Sequence, residues 1–171
     1  MRAVLTVIIF CAAIATAGCN QAATESTILT KSRSSEDVAL TVSVDTPFDT
    51  PGLVITVVAK NMSQDTFRYT ATCGRADMEF AFLDAEGHEL RVTNPCEPKP
   101  MMDCPTAMGA ILRPDGTATA REWWSGTLWN DCTGTEAPAG DYRIRVTFTF
   151  YQDIEVGRED VEATGTFHWS P

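Results

Sequence analysis

From Val38 onward apolar and polar residues alternate with a period of two, the pattern of strands that turn one face to a core and the other to water. Val38, Leu40, Val42 and Val44 share one such face. The alternation returns at Tyr142, Ile144, Val146, Phe148 and Phe150, opposed by Arg143, Arg145, Thr147 and Thr149. Leu53 to Ala59 is apolar almost without a break and reads as a central strand buried on both faces. Phe67 and Tyr69 begin a shorter strand, Met78, Phe80 and Phe82 mark another, and Val161, Ala163, Gly165, Phe167 and Trp169 form the last. The turn signal Asp84-Ala85-Glu86-Gly87 leads toward a strand near His88 to Val92, and Pro114-Asp115-Gly116 toward one from Thr117 to Trp124.

These segments amount to about eight or nine strands, with no amphipathic helix, internal repeat or second domain. Two sheets with apolar faces are best buried against each other. The expected fold class is therefore all-β, an immunoglobulin-like two-sheet antiparallel β-sandwich over residues 38–171. Ala139-Gly140-Asp141 before Tyr142 resembles the corner entering a late strand of such folds, where a tyrosine hydroxyl ties the turn to nearby backbone.

The first residues carry an address. After Arg2 an apolar run extends from Ala3 to Ala15, too short for the roughly 20 residues that cross a bilayer, so residues 1–18 read as an export signal. Thr16-Ala17-Gly18-Cys19 resembles the lipobox of bacterial lipoproteins, with Thr16 where that motif most often has Leu. Cys19 then becomes the first mature residue and carries the lipid, leaving 153 residues. Ala15-Thr16-Ala17 also fits an ordinary cleavage site that releases a soluble protein to the periplasm. Residues 19–37, rich in Ser, Thr and Ala, read as a lipidated flexible tether. Asn20 after the cysteine is compatible with sorting to the periplasmic face of an outer membrane.

Charge and cysteines sharpen this address. With 13 Lys and Arg against 23 Asp and Glu the chain has a net charge of −10 and lacks the clustered cations that a nucleic-acid surface needs. Its contact with the membrane is expected through the lipid alone. Asn61-Met62-Ser63 matches the glycosylation sequon in form only, since the signal is of bacterial type.

Of six cysteines, Cys11 leaves with the signal and Cys19 takes the lipid. Cys73, Cys96, Cys104 and Cys132 remain, and four thiols in an exported domain imply two disulfides. A hairpin at Asp84 to Gly87, with partner numbers summing to about 173, brings Cys73 and Cys96 to one sheet end. A second hairpin at Pro114 to Gly116, with sums near about 230, sets Cys104 opposite residue 126, close to Cys132. The expected pairs are Cys73 with Cys96 and Cys104 with Cys132, although crowding at one end leaves other pairings sterically open. A four-thiolate zinc site lacks the C-x-x-C spacing. No metal or cofactor is expected.

Catalytic chemistry is hard to assemble from this sequence. Its two histidines are His88, after a turn, and His168, on the polar face of the last strand. Ser125 lies in W-W-S-G, not in a G-x-S-x-G elbow, and nothing sets an imidazole beside it. H-E-x-x-H and EF-hand spacings are absent, and Glu155, Glu159, Asp160 and Glu162 read as a solvated hairpin face. The chain is expected not to be an enzyme, with no catalytic residues.

Two stretches suit binding. Trp123, Trp124 and Trp129 in W-W-S-G-T-L-W include adjacent indoles that a strand must send to opposite faces. An exposed one would stack on a cell-wall sugar or anchor a protein partner, while the plainer reading is that the cluster caps the core. Residues 94–108, rich in Pro, Cys and Met, form a stiffened segment in which Met101 and Met102 would enter the specificity pocket of a protease. Against this stands an irregular crossover whose prolines protect a sheet edge and whose methionines pack inward.

Along residues 52–150 the order of motifs resembles the intracellular proteinase inhibitor family, the BsuPI-like domain. The motifs are an apolar strand running into Asn61, F-A-F-L-D-A-E-G from Phe80 to Gly87, Leu112-Arg113-Pro114-Asp115-Gly116, Trp124 to Gly126, and Ala137 to Tyr142. Asp115 interrupts the usual Pro-Gly turn, and the Cys-rich insertion from Pro95 to Pro105 is not part of the family's core pattern. The resemblance implies a small Ig-like sandwich whose founding example inhibits a subtilisin-type protease, and it implies no catalytic residues. The expected role is thus an envelope lipoprotein that binds an envelope or extracellular protein. Inhibition of a subtilisin-type protease and binding of cell-wall carbohydrate are the alternatives.

Overall fold

The computed structural model describes residues 31–33, 36–46, 52–98, 106–153 and 156–171. The expected signal at residues 1–18, the lipid site Cys19, and Met101, Met102 and Cys104 lie outside these residues. In chain order the strands are β1 (Lys31–Arg33), β2 (Val38–Asp45), β3 (Leu53–Asn61), β4 (Phe67–Thr72), β5 (Arg75–Ala76), β6 (Met78–Leu83) and β7 (Glu89–Leu90). They continue as β8 (Thr106–Leu112), β9 (Thr117–Trp124), β10 (Thr127–Asn130), β11 (Thr133–Glu136), β12 (Gly140–Asp153) and β13 (Val156–Trp169). All pairing is antiparallel. The expected eight or nine strands correspond to the eight that reach six residues or more, with five short strands added at the margins.

Period two decides which residues meet. In β2 and β3 the inward set Val38, Leu40, Val42, Leu53, Ile55, Val57 and Ala59 is buried, and in β12 so is Tyr142 through Phe150 at every second position. β2, β3 and β9 form a small sheet with β3 in the middle. In the larger sheet β12 lies between β13 and a shared flank, with β6 along Arg143–Phe148 and β4 at Phe150 and Tyr151. β1 extends this sheet outside β13, β7 adds to β6, and β5 and β8 add to β4. Their inner faces close on one cluster that draws on both sheets, a β-sandwich arrangement. Each large aliphatic or aromatic side chain in it contributes roughly 1.5–3 kcal/mol by leaving water.

One end of this core is aromatic. The Trp124 ring lies 5.5 Å from Phe82, 5.3 Å from Tyr142, 5.6 Å from Phe167 and 5.2 Å from Trp169, so the small sheet interlocks with three strands of the large one. The buried N–H groups are satisfied locally: Trp124 Nε1 donates to the Thr127 carbonyl at 3.1 Å and Trp169 Nε1 to the Ala137 carbonyl at 3.2 Å. Tyr142 donates its hydroxyl to the Pro138 carbonyl at 2.7 Å, fixing the corner into β12 as its sequence context implies.

At the other end Asn61 is buried and fully used. Its Nδ2 donates to the Asp65 carbonyl at 2.7 Å and the Leu112 carbonyl at 3.1 Å, and its Oδ1 accepts from the Ser63 N–H at 2.9 Å and the Ser63 hydroxyl at 3.1 Å. An amide so enclosed is no glycan acceptor, which removes the formal sequon on structural grounds.

Several expectations are corrected. β3 is central in its sheet, but its outward residues Val54, Thr56 and Val58 are only half-covered, because no third layer lies over the small sheet. The hairpin after β6 pairs Phe82 with Leu90 and Leu83 with Glu89, a register one residue from the expected one, and β7 ends after two residues instead of reaching Val92. Pro114 to Gly116 is no hairpin at all. β8 pairs with β4 and β9 with β3, so this turn carries the chain from one sheet to the other. The segment expected to be tether through residue 37 contains β1, which pairs Lys31 with Thr164.

Both expected disulfide pairs fall with those hairpins. Cys96 is bonded to Cys132, with Cα atoms 5.4 Å apart and 36 residues between them in sequence. The β10–β11 hairpin, not β9, approaches the chain after β7: Trp129 N–H donates to the Arg91 carbonyl at 2.8 Å, and Cys132 at the hairpin tip thereby reaches Cys96. Cys73 is also disulfide-bonded.

Gly126 follows Trp124 with φ at +78°, and a Cβ there would overlap the Trp169 indole. Gly126→Ala is expected to destabilise the domain by about 1–3 kcal/mol through overpacking, with about 1 kcal/mol more from left-handed strain. A urea unfolding curve with an unchanged m-value and a lowered midpoint checks this.

Candidate functional site

The three tryptophans of W-W-S-G-T-L-W go to three different places. Trp124 is 1% exposed, so its expected service as a binding residue is corrected to a core role. Adjacent positions on β9 do send their side chains to opposite faces: Trp123 is 50% exposed on the outer face of the small sheet, opposite Val54 in the ladder and against Gly52. Trp129 is half-buried and leans over Gly134 on its own hairpin, within ordinary packing distance of that backbone. Trp123 alone of the three remains available to a ligand.

Groups with acid, base or nucleophile chemistry are engaged separately. Asp84 Oδ2 lies 3.0 Å from His88 Nδ1, and Asp141 Oδ1 lies 2.8 Å from His168 Nδ1, both pairs exposed. Ser125 donates its hydroxyl to Thr127 at 3.0 Å. No imidazole is hydrogen-bonded to it among the described residues. Asp84, Glu86 and His88 hold their ligand atoms within 4.8 Å of one another on one exposed turn. There the His88 N–H donates to Asp84 Oδ1 at 2.7 Å, which accounts for the gathering as turn chemistry.

The most developed concavity lies between the sheets at their open side. It measures about 640 Å³ and is bounded by β9 on one wall and by β5 and β6 on the other. Ala76, Met78, Phe80 and Ala120 supply its apolar surface, while Arg75, Asp77, Arg121 and Glu122 are its charged groups. Met78 and Phe80 belong to the inward register of β6 but only partly reach the core, because the small sheet has just three strands and ends before covering them.

Glu122 gives this cleft its electrostatic character. Ala118, Ala120 and Trp124 on its register point inward and are buried, so Glu122 points the same way and is half-buried. Burial pushes its carboxyl above the usual carboxylate range. Among the described residues it has neither an ion pair nor a hydrogen bond. An inward charge on an edge strand also discourages indiscriminate edge pairing.

Sequence reasoning missed this site. Its signal was present, a single charge interrupting an apolar register at Ala118, Ala120, Glu122 and Trp124, but that signal acquires meaning only when β9 is known to be an edge.

No protein-family model matches the chain, and no curated protein is detectably similar to it. The resemblance to the proteinase inhibitor pattern therefore rests on the order of its motifs.

The Glu122 environment has a pH signature. A carboxyl whose pKa is raised by folding favours the folded state below its ordinary pKa, and that contribution is lost as pH rises through the raised value. Asp160 acts with the opposite sign: the Thr149 hydroxyl, against some desolvation and with help from Arg158, holds it below the usual range. Glu122→Gln is expected to melt at a higher temperature than the parent at pH near ~7, with the difference vanishing below about pH 4. Paired thermal melts across that range provide the check.

Proposed function

We propose that the chain is an exported envelope lipoprotein, anchored through Cys19, whose immunoglobulin-like domain binds a protein partner at the β9 edge and performs no chemistry itself. The observation that carries this reading is the half-exposed Trp123 on a strand with one ladder partner, beside a cleft with an apolar wall. Indoles of this kind give large contact area for little lost conformational freedom. The immunoglobulin-like assignment is supported by the β2-β3-β9 sheet set against a sheet centred on β12, and by the Tyr142 hydroxyl bonded to the Pro138 carbonyl. Export is supported by the disulfides at Cys96, Cys132 and Cys73, which belong to an oxidising compartment.

Inhibition of a subtilisin-type protease is the second reading, favoured by the Cys96 to Cys132 bond that pins the near end of residues 94–108 to the β10–β11 hairpin. A pinned loop loses less freedom on entering a cleft.

A photo-crosslinking amino acid in place of Trp123 is expected to give a discrete protein adduct in cells, and one in place of the exposed Arg145 on β12 is expected to give none. Adducts from neither position would remove the protein-binding reading. Titrated with the disulfide-intact domain, a subtilisin-type protease is expected to keep its activity. Stoichiometric inhibition that is abolished by Met101→Asp with Met102→Asp would transfer the function to the loop.

A further inference from the structure

β9 is paired with β3 on one side only, and the described residues place no strand on its other side. β6 is likewise unpaired on its outer side from Met78 to Ala81, since β7 covers only Phe82 and Leu83. The cleft lies between these two borders. Its length along β9 matches a few extended residues, and a neighbouring strand added to β9 would send alternate side chains inward toward Met78 and Phe80. The inward position opposite Glu122 would meet a half-buried carboxylate that lacks a counter-charge. Arg121 does not supply one, because it occupies the opposite register of the same strand and faces water.

We infer that β9 receives an extended segment of a partner protein by strand addition, with a Lys or Arg of that segment facing Glu122 and apolar residues two positions to either side entering the cleft. This rests on the protein-binding reading above and names the chemistry of its partner. Main-chain hydrogen bonds along the free edge supply affinity without regard to sequence, and the alternating side chains supply selection. The charge choice follows from the site: a basic residue neutralises Glu122 where water is partly excluded, whereas an acidic one adds a second carboxylate. The overall charge of −10 adds a long-range attraction for a basic segment. Asp77 on the cleft's far wall adds to the local negative potential, and Arg75 beside it opposes that contribution.

The probe is the acetylated, amidated peptide Thr-Val-Thr-Lys-Thr-Val-Thr, whose palindromic order makes parallel and antiparallel docking equivalent, compared with its central-Glu counterpart. The Lys peptide is expected to slow amide hydrogen exchange along β9 and to bind about tenfold more tightly than the Glu peptide. In Glu122→Gln the preference should fall to near unity while the slowed exchange remains. Equal affinities for the parent domain, or no slowing at β9 with millimolar peptide, would overturn strand addition. If Trp123 crosslinks still form in that case, the failure belongs to this inference and not to protein binding. If crosslinks are also lost, both readings fall together.

Discussion

Trp124 is the contact through which the small sheet grips the large one. It leaves β9 and meets Phe82 on β6, Tyr142 on β12, and Phe167 and Trp169 on β13. Aromatic pairs of this geometry contribute about 0.5–1.5 kcal/mol each beyond their buried area. An edge strand hydrogen-bonded on one side would otherwise be the first to fray. The interlock fixes the end of β9, and the strand can leave its other border open without peeling from the sandwich. The conformation at Gly126 and the corner bond of Tyr142 both serve this cluster, one by leaving room for Trp169 and the other by fixing the entry to β12.

Asn61 does a comparable task with polar atoms. Its backbone N–H donates to the Gly116 carbonyl at 3.0 Å while its side chain holds the Leu112 carbonyl, so one residue at the end of β3 grips both ends of the passage from β8 to β9. That passage transfers the chain between sheets. It requires β8 to be occupied by β4, and there the ladder shifts at Tyr69 and Thr70 around Gly109, whose φ is +82°. A residue in that conformation lets one strand hold an extra residue and bend.

The strands themselves were legible in the sequence because alternation is local and survives without knowledge of partners. Val38 to Val44, Tyr142 to Phe150 and Val161 to Trp169 display their inward sets openly, and Tyr142 announced its corner through the residues before it. Partnership was not legible. Pro114-Asp115-Gly116 has the residues of a tight turn whether its flanking strands pair with each other or part for different sheets, and only Asn61 and β4, both distant in sequence, decide the matter. The cysteine pairing followed that error, since Cys132 rides on a hairpin whose neighbour is the chain after β7. Glu122 was passed over for the same reason: an inward carboxylate is distinctive only beside an open edge. Trp123 and Trp124 were read correctly as facing opposite ways, but the sequence did not say which of them the core would take.

β1 alters the mechanics of anchorage. Its pairing with β13 fastens the chain to the domain at Lys31. For a lipid on Cys19, the free leash is then about a dozen residues, with a fully stretched reach of roughly 40 Å. Had the leash run to residue 37, it would have extended to roughly 60 Å. The reach is comparable to one bilayer thickness, so the domain would patrol a shallow layer above its own membrane and meet partners embedded in or resting on that surface. The same attachment turns a pull on the lipid into a load on the β1–β13 ladder, at the margin of the larger sheet and away from the β9 edge.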